Sequence, residues 1–320
     1  MSQRKAKPRP AAAKVAKKKS RAADARRDAS GRVHLVVHRD PVSGGEHLSL
    51  RAPLFREAWQ NEIATGAANT VHGVLQGEAS VDGAVELARN AMAATSRLID
   101  GLLARAPQGS IACKAGCDHC CHQVVGVTAP EALAIFDHLK NTRTEEQLAA
   151  FARHVIARDE AGRGLSSAER FSPDHPCVFL EAGKCTIYEV RPLACRGMNS
   201  LDADDCARRL RDPEARARFL ASGSGGRSFL EPIRAFHAVS AGLQLSLAEI
   251  YGLDMLPLEL TRVMRLLFEG PPSLADDWAR GKKPFAPARS RDISEDPAAR
   301  EVSGTLIGPP PKRPEPTPEH

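Results

Sequence analysis

The sequence predicts a mainly α-helical fold with one small β-hairpin, and three observations carry that prediction. Apolar residues recur at helical spacing through most of the middle of the chain. Several of these stretches open on residues suited to capping a helix N-terminus. Only two places have the short, β-branched character of strands, and no internal repeat points to a solenoid.

The two ends differ from this body. Residues 1–30 hold eleven Lys/Arg against two acidic residues and almost no apolar side chain larger than Ala, and residues 281–320 hold nine of the 23 prolines. Neither end can bury enough apolar surface to offset its ordering entropy, so both are expected to be disordered around a helical body at 31–280. The formal net charge of +6 comes from the basic tail, since the remainder is slightly acidic. Nucleic-acid binding is therefore expected only weakly, through salt-sensitive contacts of the tail. Ten Phe, two Trp and two Tyr are too few for a base-stacking platform, and no apolar run is long enough for a membrane span.

The elements follow in order. Val33–Val37 reads as a strand. An Ala-rich helix is expected over Val81–Ala104, with Val85, Met92, Ile99 and Leu103 on its apolar side. Thr128-Ala-Pro-Glu131 and Thr144-Glu-Glu-Gln147 fit the capping box, so one helix starts at each. The second runs through Phe151 and Val155 to Gly162, and the two helices together form an antiparallel pair that returns the chain to its starting point. Val178–Leu180 and Cys185–Ile187 flank Glu181-Ala-Gly-Lys184 as a hairpin. Ser222-Gly-Ser-Gly-Gly226 is a connector without the Lys-Ser/Thr of a phosphate loop. A helix should open at Ser228, with Glu231 three residues on, and run to about Tyr251. A shorter one follows Pro257, through Leu260, Val263, Met264 and Leu267. Met92, Met255 and Met264 read as core.

The eight cysteines fall in two groups. The first is Cys113, Cys117, Cys120 and Cys121 within CKAGCDHCC, and the second is Cys177, Cys185, Cys195 and Cys206. No apolar leader follows the basic start, so a reduced, cytoplasmic setting is expected and a disulfide framework is disfavoured. Four thiols in nine residues suit either a loop wrapped around an ion or one helical face, and Gly116 favours a turn. Adjacent Cys120 and Cys121 are expected to point apart and to serve different sites or one multi-iron cluster. At least one of them then needs partners from the second group. Arg191 and Arg196 flank Cys195 and are expected to offset thiolate charge at the bound cofactor and to hydrogen-bond to sulfur. His119, His122 and His175 sit beside cysteines, more readily as support than as ligands, and Asp118 reads as a turn former.

CKAGCDHCC followed by PCVFLEAGKCTIYEVRPLACRGMNSLDADDC resembles the cysteine-cluster family of YkgJ type, the zinc- or iron-chelating domain named for a CxxCxxCC motif. The resemblance spans about residues 105–210. The first gap here has three residues where the family motif has two, so Cys113 is the ligand it supports least. The resemblance implies chelation of zinc or of an iron–sulfur cluster in a bacterial cytoplasm, and it implies no particular reaction. Three functions follow: a metal-binding protein whose ion holds the fold and supports an interaction, an iron–sulfur oxidoreductase, and a protein that chelates and passes on zinc or iron. Nucleotide, flavin and zinc-protease motifs are missing from the sequence, which favours binding over catalysis. Adjacent cysteines and nearby arginines favour an iron–sulfur cluster over zinc.

Overall fold

A computed structural model describes residues 34–222 and 226–289. The expected basic tail, Val33, residues 223–225 of the connector and the chain beyond Arg289 lie outside the described residues. Helix dominates, as the spacing of apolar residues predicts.

The chain opens with a hairpin, β1 (Leu35–Arg39) and β2 (Glu46–Leu50), antiparallel with Leu35 opposite Leu50 and His38 opposite His47. The sequence reading found the first strand, two residues early, and missed its partner. Helix α1 (Ala58–Leu75) was also missed, because it buries small residues, Ala64 and Ala68, that leave little apolar contrast. Helix α2 (Val81–Leu103) starts where Ser80 accepts the Gly83 N–H at 3.1 Å. Both capping boxes form, opening α3 (Ala129–Thr142) and α4 (Glu145–Ala161).

These last two helices do not make the expected antiparallel pair. Helix α3 lies on α2, whereas α4 packs on α10 (Leu260–Glu269), and Phe268 of α10 stands between them against both Phe136 and Phe151. The amphipathic α10 buries Val263 and Met264 completely, which outcompetes direct α3–α4 packing.

Between them run three short helices: α5 (Ser167–Arg170), α6 (Leu193–Gly197) and α7 (Ala203–Arg211), the last continued by α8 (Pro213–Ser222). Helix α9 (Leu230–Leu245) crosses α1 so closely that a Cβ on Gly242 would stand 2.1 Å from the Ala64 carbonyl oxygen. It continues as a π-helical turn, Ser246–Ile250, and ends before Gly252 at φ +69°. The expected Ser228–Glu231 cap does not form. Phe229 is the cap residue, and Asn199 takes over: its Oδ1 accepts the Phe229 N–H at 2.8 Å and its amide donates to the Phe229 carbonyl at 2.9 Å.

Four further strands are two residues long each: β3 (Gly126–Val127) pairs with β6 (Leu258–Glu259), and β4 (Leu180–Glu181) with β5 (Lys184–Cys185). The first of these pairs was not expected. The body also extends past residue 280: α11 (Leu274–Ala279) leads into Phe285 and Ala288, which are fully buried, and Arg289 bridges back to Leu258. A Pro-rich composition does not prevent packing where a Phe can reach the core. Met92, Met255 and Met264 are buried, as expected.

Candidate metal centre

The first cysteine run is a loop with one short turn of 3-10 helix. Gly116 adopts φ +85°, the Cys117 N–H donates to the Lys114 carbonyl at 3.0 Å, and the Asp118 carbonyl then accepts the Cys121 N–H at 2.8 Å to open the turn His119–His122. The loop reading holds, and Asp118 is the turn former. Cys113 and Cys120 are exposed, Cys117 and Cys121 half-buried.

The second run is delivered by three elements. Cys177 and Cys185 bracket the β4–β5 hairpin, whose turn places Ala182 at φ 47° and Gly183 at φ 72°. Each of these sulfurs accepts a backbone N–H two residues on, from Phe179 and from Ile187. Cys195 lies in α6, whose first residue, Leu193, donates its N–H to Glu131 Oε1 at 2.8 Å. Glu131 is buried, and its other oxygen accepts both the N–H and the hydroxyl of Thr128 at 2.8 Å. One carboxylate thus caps α3 and fixes the helix that carries Cys195. Cys206 lies in α7, opened by Asp202, which accepts the Asp205 N–H at 2.9 Å.

The two runs meet through backbone. The Cys177 N–H donates to the Cys121 carbonyl at 2.6 Å, and the Ala112 N–H to the Ser200 carbonyl at 2.8 Å. Ser200 also donates its own N–H to Cys113 Sγ at 3.2 Å, and its side chain, whose hydroxyl donates to the Asp202 carbonyl at 3.0 Å, favours the ionised form of Cys206. Cys113, the least supported candidate in the sequence, is therefore held within the cluster. Neither Ser200 nor Glu131 was singled out in the sequence as part of the site. A Ser five residues after a cysteine carries no signal, and Glu131 was read only as a cap.

Cys120 and Cys121 do not point apart. Their thiols hydrogen-bond to each other, because the tight turn swings adjacent side chains together. The premise drawn from opposed side chains fails.

Burial pushes the thiols of Cys113, Cys185, Cys195 and Cys206 above the usual cysteine range, and that of Cys177 up to about 12. For Cys120 the bond to Cys121 is the larger cause and burial the second. Neighbouring thiolates add to the rise, so without a cation these sulfurs keep their protons. Metal ligation reverses that balance, since the cation stabilises the thiolates that burial and mutual repulsion disfavour.

The two arginines play different parts. Arg191 favours the charged forms of Cys120, Cys185 and Cys195 while its guanidinium lies 4.2 Å from the Tyr188 ring centroid, and its buried Nε has no hydrogen-bond partner. Arg196 donates its Nε to the Arg191 carbonyl at 2.9 Å and its other nitrogens to Ser96 and the Glu189 carbonyl. Its hydrogen bonds hold the 189–191 loop instead of a sulfur, while its charge, like that of Arg191, favours the ionised form of Cys185. Among the histidines, buried His122 pairs its Nδ1 with the Ser172 carbonyl at 3.1 Å, and His119 Nδ1, which has no hydrogen-bond partner, lies 3.7 Å from Asp118 Oδ1.

Among the described residues, no three His, Cys, Asp or Glu side chains stand ready-placed around one ion. The donor set nonetheless fits a thiophilic metal: eight cysteines outside any disulfide, amide donors on three sulfurs, and guanidinium charge beside them.

Fold and site together define a helical scaffold around a cysteine-rich chelating centre. Residues 112–211 match the CxxCxxCC family model, described as a "putative zinc- or iron-chelating domain". No curated protein and no solved structure matches the chain. Among the described residues, no helix is long and apolar enough to cross a membrane.

Proposed function

We propose that the protein binds zinc or iron through thiolates from both cysteine runs, and that the metal clamps residues 113–121 against residues 177–206. The observation that carries this reading is the convergence of Cys113 and Cys206 on Ser200, 87 residues and six residues away in sequence, beside the Cys177–Cys121 backbone bond. Closing so long a loop with an ion removes entropy from the unfolded chain, so binding free energy becomes folding free energy. Arg191 is the counter-charge of the centre, and Arg196 positions it by holding its carbonyl.

The role is binding, with the ion supporting the fold and an interaction of the domain. Soft thiolates select zinc or iron, and the amide N–H bonds to sulfur stabilise the ionised ligands of either. Metal analysis and visible absorption of the full chain, purified without oxygen, test the proposal. Tightly held stoichiometric zinc or iron, lost on blocking thiols, is the expected result. Metal-free protein that takes up neither ion under reducing conditions refutes it.

A further inference from the structure

Helices α2 and α3, with the loop that joins α10 to α11, border a groove of about 630 Å³. Its floor is apolar: Val81 and Val85 of α2, Leu133 and Phe136 of α3, Leu267 of α10 and Leu274 of α11. Val81, Val85, Phe136 and Leu267 are only half-buried, and Pro271 and Pro272 on the loop are exposed, so an apolar strip stays open among the described residues. The rim carries three carboxylates against two cations. Arg89 pairs with Asp137 at 2.6 Å, and Lys140 lies 5.3 Å from the Phe136 ring centroid. Asp82 and Glu86, one turn apart on α2 and both exposed, make no ion pair among the described residues.

The chain itself supplies an occupant. Phe285 and Ala288 pack into the core beside α10, and Arg289 then bridges to Leu258, just before that helix begins. The groove lies at the other end of α10, about 15 Å away along the helix axis. Residues 290–301 extend to about 40 Å, more than twice that gap, so the segment after them reaches the groove. That segment is VSGTLIGPPPKR, Val302 to Arg313. Apart from proline, residues 290–320 contain four apolar side chains larger than Ala, and three of them are Val302, Leu306 and Ile307.

We propose that Val302–Pro311 docks in the groove of its own molecule, with Leu306 and Ile307 on the apolar floor, the prolines against the Phe136 ring, and Lys312 and Arg313 facing Asp82 and Glu86. Aromatic-lined grooves suit proline runs, and the two cations match the two carboxylates that lack a partner. A connection of this length holds the segment at roughly millimolar effective concentration, so a contact too weak to form between separate molecules forms within one. That favours the chain's own segment over a second copy.

The test is hydrogen–deuterium exchange of the full chain, with carbodiimide cross-linking read by peptide mass in a mixture of isotopically labelled and unlabelled protein. The amides of 302–308 should exchange at least about tenfold more slowly than in a free peptide of the same sequence, the mark of a segment docked nine parts in ten. Carbodiimide should join Lys312 to Asp82 or Glu86 within one molecule. Leu306→Asp with Ile307→Asp, which leaves the sequence of the body unchanged, should restore the exchange of the free peptide and abolish the link. Asp82→Lys with Glu86→Lys should lower the protection about twofold or more, and adding Lys312→Glu with Arg313→Glu should recover it.

Exchange of 302–308 at the rate of the free peptide in the wild type overturns the proposal. So does protection that survives Leu306→Asp with Ile307→Asp, which would place the segment elsewhere. Links found solely between labelled and unlabelled molecules would make the occupant a second copy and refute docking within one chain.

Discussion

Replacing Glu131 with Ala should loosen the centre without touching a cysteine. The carboxylate accepts three hydrogen bonds, each at 2.8 Å, from Thr128 N–H, Thr128 hydroxyl and Leu193 N–H, and its residue is 4% exposed. Deleting it strands two backbone amides in the interior. At about 1–3 kcal/mol for each buried unsatisfied group, the loss is roughly 2–6 kcal/mol. Glu131→Gln should cost less, since one carbonyl oxygen remains, but its new N–H₂ faces donors and one bond turns repulsive. Thr128→Ala, which keeps both stranded amides paired, should cost about 1 kcal/mol, the usual worth of a cap hydroxyl. Because Leu193 is the first residue of the helix bearing Cys195, Glu131→Ala should also weaken metal retention, whereas Thr128→Ala should not. Urea unfolding of the metal-free full chain gives the first quantity, and competition with a chelator gives the second. A Glu131→Ala variant within about 0.5 kcal/mol of the wild type, the range of an ordinary surface substitution, would refute the account.

Other outcomes follow from separate parts of the structure. Burial lowers the His237 pKa to about 4, so the native protein stays neutral there while an unfolded histidine takes up a proton below about 6.5. Stability should therefore fall as pH drops from about 6.5 to 4, by about 3 kcal/mol at most, and His237→Gln should flatten that slope in unfolding measurements at several pH values. For Asp159, burial raises the pKa, but hydrogen bonds from Arg163, Arg265 and Arg262 outweigh it and leave the group below the usual carboxylate range. Its contribution is present above the unfolded value and lost as pH falls through the folded one, so Asp159→Asn should destabilise at neutral pH and converge with the wild type in strong acid. Gly242→Ala places a Cβ against the Ala64 carbonyl and should cost about 1–3 kcal/mol despite a gain in helix propensity, read as a lowered unfolding midpoint. Ala182→Gly relieves a left-handed φ of 47° at the hairpin and should stabilise by about 0.5–1 kcal/mol in the same measurement.

Local chemistry was legible in the sequence wherever residues close in the chain decide the outcome. The capping boxes at Thr128 and Thr144, the α2 helix, the turn at Gly116 and the hairpin between Cys177 and Cys185 all depend on hydrogen bonds between residues close in the chain, and all are present. The eight cysteines announced a chelating centre because reduced thiols at that density have few other uses. What failed depended on distant partners. Asn199 replaced Ser228 as the organiser of the α9 start, Phe268 separated α3 from α4, and Phe285 carried the body past residue 280. The spacing of the cysteines likewise says which thiols are neighbours along the chain but not which share a neighbourhood. That was decided by Ser200, Glu131 and the Cys121 carbonyl, single groups whose donors and acceptors lie 50 or more residues away on the other run. A hydrogen bond between such partners leaves no periodicity in the sequence, because its geometry exists only once the helices have packed.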